Sequence, residues 1–334
     1  MRGRLTSRRQ LLLSAAALVA AKGLAAPAIA QARPKIRLGH LHVVAVDGQI
    51  CIGIDRRSFE KQGIDFELTA YDTGPETFEA MAAGKVDLIS AGGVVADYLA
   101  RGHGRLFLIN DIEVATAQLW VRPDLGVTNF ADLKGKRIAT TRRTTAHIFL
   151  DRALSANNLT SSDVEIVSQR MSDNVAAFIA GEVPAVALWV PFNIVVRDKL
   201  PGAIKLVDAS AYYPQSAVLG GWVTRHDYYD ANRETLAGII RGWADANDYM
   251  VRNSTAAAAA LQQNHYRQTP LANITESLRA QKMFTSREWK RLYADGTVVK
   301  WLQQASDFFV ADAKVSGATP ASEYFDPSLY LSVI

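Results

Sequence analysis

Thr141-Arg142-Arg143-Thr144-Thr145 sets three hydroxyls and two guanidinium groups in one short turn. It follows a β-branched and apolar run from Arg137 to Thr141. It precedes a segment, from Ala146 onward, in which Phe149, Leu150, Ala153 and Leu154 recur at helical spacing. A helix start offers unpaired backbone N–H groups and the positive end of the helix dipole, so a strand-to-helix turn of this composition suits an anion. An arginine beside it adds a planar fork that matches a sulfonate or carboxylate. The alternative is that Thr144 or Thr145 simply caps the helix while both arginines point to solvent. Arg142 is the better placed of the two arginines, and which of them turns inward stays open. Cys51 is the only cysteine, so an internal disulfide and a cysteine-rich metal site are both excluded. Between Ile50 and Ile52, with no neighbouring base, it reads as a small buried apolar residue.

The elements that must position this turn form two series. Lys35 to Leu41 alternates as a strand, Asp47 to Lys61 is a helical stretch, and Asp65 to Tyr71 is a second strand. Pro75 opens a helix whose stripe is Phe78, Met81 and Ala82 and whose stop is Gly84. Val86 to Ala91, a helix from Val94 to Ala100, and a strand from Arg105 to Asn110 complete the first series. Thr116 to Arg122 leaves it as a further strand. The second series runs through the arginine turn, a strand from Asp163 to Ser168, a helix from Asn174 to Ala180 stopped by Gly181, and a strand from Ala185 to Trp189. Ala203 to Val207 and Val218 to Thr224 are also strands. After Asp227 the pattern is helical: Arg233 to Arg252, an alanine-rich helix capped by Ser254, Ser286 to Ala294 and Val298 to Ala313, then an extended tail from Tyr324. Strand–helix alternation at this spacing predicts two α/β units in tandem with parallel sheets.

The first 32 residues are set apart. Ser7-Arg8-Arg9-Gln10-Leu11-Leu12 is a twin-arginine pattern, the apolar run Leu11 to Ala21 is too short to span a bilayer, and cleavage after Ala30 or Ala32 fits the small residues there. Export by the general secretory route, or an uncleaved anchor, is the alternative. This segment carries Arg2, Arg4, Arg8, Arg9 and Lys22 and no acid. Without those five, the 37 basic residues fall to 32 against 33 acidic ones. The mature chain is therefore near neutral, and nothing indicates a nucleic-acid surface. No G-x-S-x-G, H-E-x-x-H or phosphate-binding loop is present, and no catalytic pair stands out.

Three stretches, in order, carry a family resemblance. They are Met81-Ala82-Ala83-Gly84-Lys85-Val86-Asp87-Leu88 followed by Gly92-Gly93; Asp132-Leu133-Lys134-Gly135-Lys136-Arg137-Ile138-Ala139; and Ala180-Gly181-Glu182-Val183 followed by Trp189-Val190-Pro191-Phe192. Together they resemble the periplasmic solute-binding proteins of the alkanesulfonate, taurine and nitrate group, which includes thiamine-pyrimidine binding and synthesising relatives. The resemblance spans about Lys35 to Ala313. It implies a two-lobed α/β fold with a ligand cleft between lobes joined by two crossing strands, near Ala117 to Val121 and Leu219 to Thr224. The implied division is 33–118 plus 225–334 for one lobe and 119–224 for the other.

Turns at the carboxyl ends of parallel strands face such a crevice. The ligand-binding candidates are therefore His42, Thr73, Gly92, Gly93, Thr141, Arg142, Thr144, Thr145, Trp189 and Trp222. Adjacent glycines let a ligand approach the backbone, and the tryptophans serve as apolar walls or as core. The resemblance implies a monomeric, non-enzymatic periplasmic receptor that hands a small organic anion to the permease and ATPase of an ABC importer, with no cofactor. The alternative is binding or synthesis of a thiamine pyrimidine precursor. Two departures matter. The family's Asp-Ala after the third motif is here Pro184-Ala185, which weakens the case for a taurine-like zwitterion. The synthases' cysteine-rich motif has no counterpart in the single Cys51.

Overall fold

A computed structural model describes residues 35–334; the expected export signal lies outside the described residues. The first series forms β1 (Ile36–His40), α1 (Val44–Asp55), β2 (Phe66–Ala70), α2 (Gly74–Ala82), β3 (Leu88–Ala91), α3 (Val95–Ala100) and β4 (Arg105–Ile112). The second forms β5 (Ala117–Val121), β6 (Arg137–Thr140), α4 (Thr145–Ala156), β7 (Glu165–Ser168), α5 (Met171–Ala180), β8 (Ala185–Trp189), α6 (Phe192–Lys199) and β9 (Ile204–Asp208). Next come β10 (Leu219–Thr224), α7 (His226–Ala231), α8 (Arg233–Arg252), α9 (Ser254–Asn264) and α10 (Leu271–Arg279). The chain closes with α11 (Ser286–Ala294), α12 (Thr297–Ala313), α13 (Ala321–Tyr324) and α14 (Ser328–Val333). The tail expected to be extended is thus helical at α13 and α14. There Ala321, Tyr324, Leu329 and Tyr330 gain burial against the first core, which overrides a weak local pattern.

The two sheets share one topology. Their orders are β2-β1-β3-β10-β4 and β7-β6-β8-β5-β9. In each, one strand, β1 or β6, pairs with two parallel neighbours, and one strand runs antiparallel between two others: β10, which returns after the second series, in the first sheet, and β5, which opens the second series, in the second. The crossing strands are β5 and β10, over the residues that the sequence singles out. Their sheet membership moves the lobe limits, however. β5 already lies in the second sheet at Ala117, and β10, placed at the end of the second lobe by the sequence, lies wholly within the first sheet. A strand with bonding partners on both edges belongs to the sheet that satisfies its backbone groups.

Local signals explain the helix limits. Thr73 precedes α2 with Pro75 in its first turn, and Glu76 Oε2 reaches back to the Thr73 backbone N–H at 3.2 Å. Gly84 and Gly181 follow α2 and α5 at φ of 69° and 84°, a left-handed backbone that costs glycine nothing. Each lobe has its own apolar core, and a third cluster joins α1 to the C-terminal helices through Val44, Cys51, Ile52, Met250, Leu261 and Ile274. A small seam of Ala96, Ile148, Val218, Ala305 and Phe309 ties the lobes together.

Trp222 belongs to the first core and not to the crevice. It is fully buried on β10, with Phe59, Phe66 and Phe107 at ring-centroid distances of 6.2, 6.0 and 6.4 Å. Period-two alternation turns its side chain inward beneath the sheet. Trp222→Ala is expected to cost about 3–5 kcal/mol in urea unfolding, by loss of transfer energy plus a cavity. Trp222→Phe should cost distinctly less, since it keeps an aromatic ring and removes an indole N–H that has no protein partner. Equal losses would show that packing there is not the determinant.

Asp111, near the end of β4, is buried with no protein partner for either carboxylate oxygen. Burial, and then the charge of Glu113, push its carboxyl well above the ordinary range. Below the ordinary carboxylate value both folded and unfolded chains are protonated, and there is no penalty. As pH rises toward the raised value the unfolded chain ionises first, so stability falls. Asp111→Asn should flatten that fall in melting temperature measured from pH 4 to pH 8. Identical slopes in the variant and the wild type would assign the pH dependence elsewhere.

Candidate functional site

The turns after β1, β2 and β3 in one lobe and after β6 and β8 in the other converge on one cleft. Its apolar wall includes Leu41, Val43, Val46, Val94, Trp189 and Val190, and its polar groups are Asp72, Thr73, Glu113, Thr116, Thr144 and Thr145. Gly92 also lines it. Of the ten sequence candidates, the structure brings Thr73, Gly92, Thr144, Thr145 and Trp189 together here. Gly93 contributes its backbone N–H to the same cluster. Trp189 ends β8 half-buried, edge-on to Phe192.

Glu113 is the centre of this arrangement, and the candidate list lacked it. It sits in the first crossing between β4 and β5, where its backbone N–H donates to Val218 O of the second crossing at 2.9 Å. Its Oε1 accepts the Gly93 N–H at 2.8 Å and the Thr145 hydroxyl at 3.1 Å, and its Oε2 accepts the Thr116 hydroxyl at 3.1 Å. Burial raises the Glu113 carboxyl from its ordinary value, and the three donors oppose that shift. A signal for it existed in the sequence. Asp111 and Glu113 stand two residues apart at the end of an apolar strand, a spacing that puts both acids on one face.

The arginine turn is built differently from the expectation. Arg142 is exposed, does not line the cleft, and donates its backbone N–H to Ser168 Oγ at 3.1 Å. The Arg143 N–H donates to His147 Nδ1 at 3.2 Å, and burial lowers the pKa of that imidazole, favouring its neutral, accepting form. The Arg143 side chain reaches across to the first lobe, where its Nε and Nη2 lie 2.8 and 2.7 Å from Asp97 Oδ2. Thr141 donates its hydroxyl to Gln169 O at 2.8 Å, and Thr144 spends its own on Thr141 O at 2.6 Å. The hydroxyls of Thr141 and Thr144 are thus spent on backbone carbonyls, and the structure does not bring Thr141 or Arg142, both expected as anion contacts, to the cleft lining.

Arg170, after β7, likewise bridges to the other lobe, at 2.9 Å from Asp72 and 2.6 Å from Glu76. His42 faces a second cavity, lined also by Tyr266, Pro191 and His265. It holds a left-handed backbone at φ 50° and stacks on Tyr266 at 4.8 Å. With His40 and Asp47 it forms a group whose possible metal-ligand atoms lie within 4.8 Å of one another. His40 Nδ1 is already bonded to Asp47 Oδ2 at 2.6 Å, so internal bonding and ring stacking account for that cluster. Cys51 is buried behind it, and desolvation raises its thiol far from the reactive range.

The fold and cleft have known counterparts. A Brucella abortus (strain 2308) protein, provisionally named a binding protein, is 24% identical over 290 residues, covering 87% of this chain and 89% of its own. The alkanesulfonate-binding protein SsuA from Xanthomonas axonopodis pv. citri, solved bound to MOPS, superposes with a TM-score of 0.71 at 22% identity, covering 88% of this chain and 99% of its own. The desulfurization enzyme DSZB shares the fold, with a TM-score of 0.65 at 15% identity over 90% of this chain and 99% of that one. The family described as NMT1/THI5 like matches residues 50–257, and the chain belongs to that family.

Proposed function

We propose that the protein is a periplasmic solute-binding receptor that closes its two lobes on a small organic molecule and presents it to an ABC importer. The observation that carries this reading is the cleft itself, lined from both lobes by the carboxyl-end turns of parallel strands and bridged by Arg143 to Asp97. The named alkanesulfonate receptor of the same fold supports it. In this reading residues 1–32 direct export and are removed, and the receptor acts as a monomer. A non-enzymatic role fits the buried chemistry, since the thiol of Cys51 is held protonated and the acids of the cleft have no partnered base in it.

The test is native mass spectrometry of the purified full chain for a co-purified solute. A thermal-shift panel of sulfonates, carboxylates, amines and aminopyrimidines then follows on the stripped protein. Ligand at 100 times its dissociation constant should add about 2.7 kcal/mol of stability. Turnover of any bound compound by the pure protein would overturn the receptor reading. Arg143→Gln removes a charge-assisted bond made only when the lobes are closed. With the arginine side chain 36% exposed, the loss is about 1–2 kcal/mol, so solute affinity should fall roughly tenfold in calorimetry. Unchanged affinity would show that this bridge takes no part in closure.

A further inference from the structure

The cleft between the turns has room for only a handful of water-sized groups. The hollow that His42 faces is roomier and adjoins it. Val43, Ala45 and Val190 line both, so the two spaces meet across the start of α1 and the turn after β8. Both lobes build this side chamber: Val190 and Pro191 come from the second, and His42, Tyr266, Arg267 and Ser277 from the first. A solute of more than a few heavy atoms that sits in the cleft therefore extends into the chamber.

The chamber has its own chemistry. His42 is exposed on its lining, with its ring stacked on buried Tyr266 at a centroid distance of 4.8 Å and 19° between planes. Tyr266 fixes the plane of that imidazole, and a planar ring placed against it extends the stack. Ser277 is 5% exposed, and its hydroxyl has no hydrogen-bond partner among the described residues. A buried hydroxyl so placed is left unsatisfied until water or a solute meets it. Arg267 spends its Nε on Gln263 O at 3.0 Å, and its guanidinium forms no ion pair among the described residues. No aspartate or glutamate lines the chamber. His265 and Asn264 are tied at 2.9 and 2.8 Å to Asp55, which lies outside the lining.

These features sort solutes by shape and by charge. A flat ring gains a stack on His42 that a saturated body of the same bulk does not. A carboxylate on that ring finds hydroxyl and guanidinium donors, whereas an ammonium finds no acid.

We propose that the side chamber is the second half of the binding site, and that it takes the aromatic, carboxylate-bearing end of a solute whose other end lies in the cleft. This rests on the receptor reading and narrows its ligand class to elongated aromatic acids. His42 and Ser277 are the specificity-determining residues.

The test is calorimetric titration of the purified full chain, stripped of co-purified solute. Butanoate and hexanoate are set against their ω-cyclohexyl, ω-phenyl and ω-(4-carboxyphenyl) derivatives. The phenyl compounds should bind at least tenfold tighter than the unsubstituted acids and severalfold tighter than the cyclohexyl ones. The 4-carboxy group should tighten binding again. His42→Asn removes the ring but keeps a residue that accepts the left-handed backbone at φ 50°. It should lower the phenyl compounds to the cyclohexyl level and leave butanoate unchanged, and a melting curve shows whether it folds. Ser277→Ala should remove the gain from the 4-carboxy group alone, and it serves as the second variant.

Equal affinity for phenyl and cyclohexyl compounds, a 4-carboxy group without effect, or phenyl affinity untouched in a folded His42→Asn would each overturn the chamber assignment while leaving the receptor standing. If no probe binds, the solute found by native mass spectrometry decides: an aromatic one supports the proposal and an aliphatic one overturns it. Absence of any solute together with absence of binding would overturn both readings.

Discussion

The return of β10, after the whole second lobe, into the first sheet is the constraint from which the site follows. β10 is hydrogen-bonded on both edges, by β3 and β4 of the first series, and β5, the first strand after the other crossing, is held likewise by β8 and β9. The first sheet is completed only by a strand that follows the whole second lobe, so the two linkers between the lobes lie side by side. They are also tied directly, through the Glu113 N–H to Val218 O. The remaining strands of each sheet run parallel, which brings their carboxyl-end turns to one edge. Two such edges facing across a pair of crossings enclose a cleft with no further design.

Glu113 shows how strongly that geometry shapes the chemistry. A residue in a crossing segment is pinned at the floor of the cleft, within reach of both lobes. Backbone and hydroxyl donors converge there from the glycine turn after β3 and from the start of α4, the kind of pocket that ordinarily receives an anion. The chain supplies the anion itself. With Asp111 buried two residues earlier, the floor carries two carboxyls that burial drives toward their neutral forms. Proton uptake relieves that energetic tension.

Much of the fold was legible because its signals are local and redundant. Strand and helix limits, the glycine stops at Gly84 and Gly181, and both crossing strands follow from periodicity and turn residues. The three short motifs lead to the family that the chain belongs to. Errors gathered where tertiary context overrides local pattern. α14 forms because Leu329 and Tyr330 are buried by the first core, and β10 belongs to the first lobe because of pairing that no local pattern encodes. Of the site, the turns were visible and the direction of the side chains was not. Thr73, Gly92, Thr144, Thr145 and Trp189 are at the cleft because turns after parallel strands must be. Trp222 is in the core, and Arg142 is in solvent, because facing and bonding are decided by neighbours distant in sequence.

The arginine turn makes the general point about reading anion sites. Residue types and a helix start were all present, yet the anion reading needs donors that remain free after folding. Arg142 and Arg143 give their backbone N–H groups to Ser168 and His147, Thr141 and Thr144 satisfy backbone carbonyls, and the Arg143 guanidinium is needed to hold the lobes together. A buried donor left unpaired costs about 1–3 kcal/mol, so a folded chain tends to fill such a cradle internally unless a ligand is always present. The hydroxyls of Thr141 and Thr144 and the Arg143 guanidinium are thus spent within the protein, while the Thr144 and Thr145 N–H groups at the start of α4 keep no protein partner.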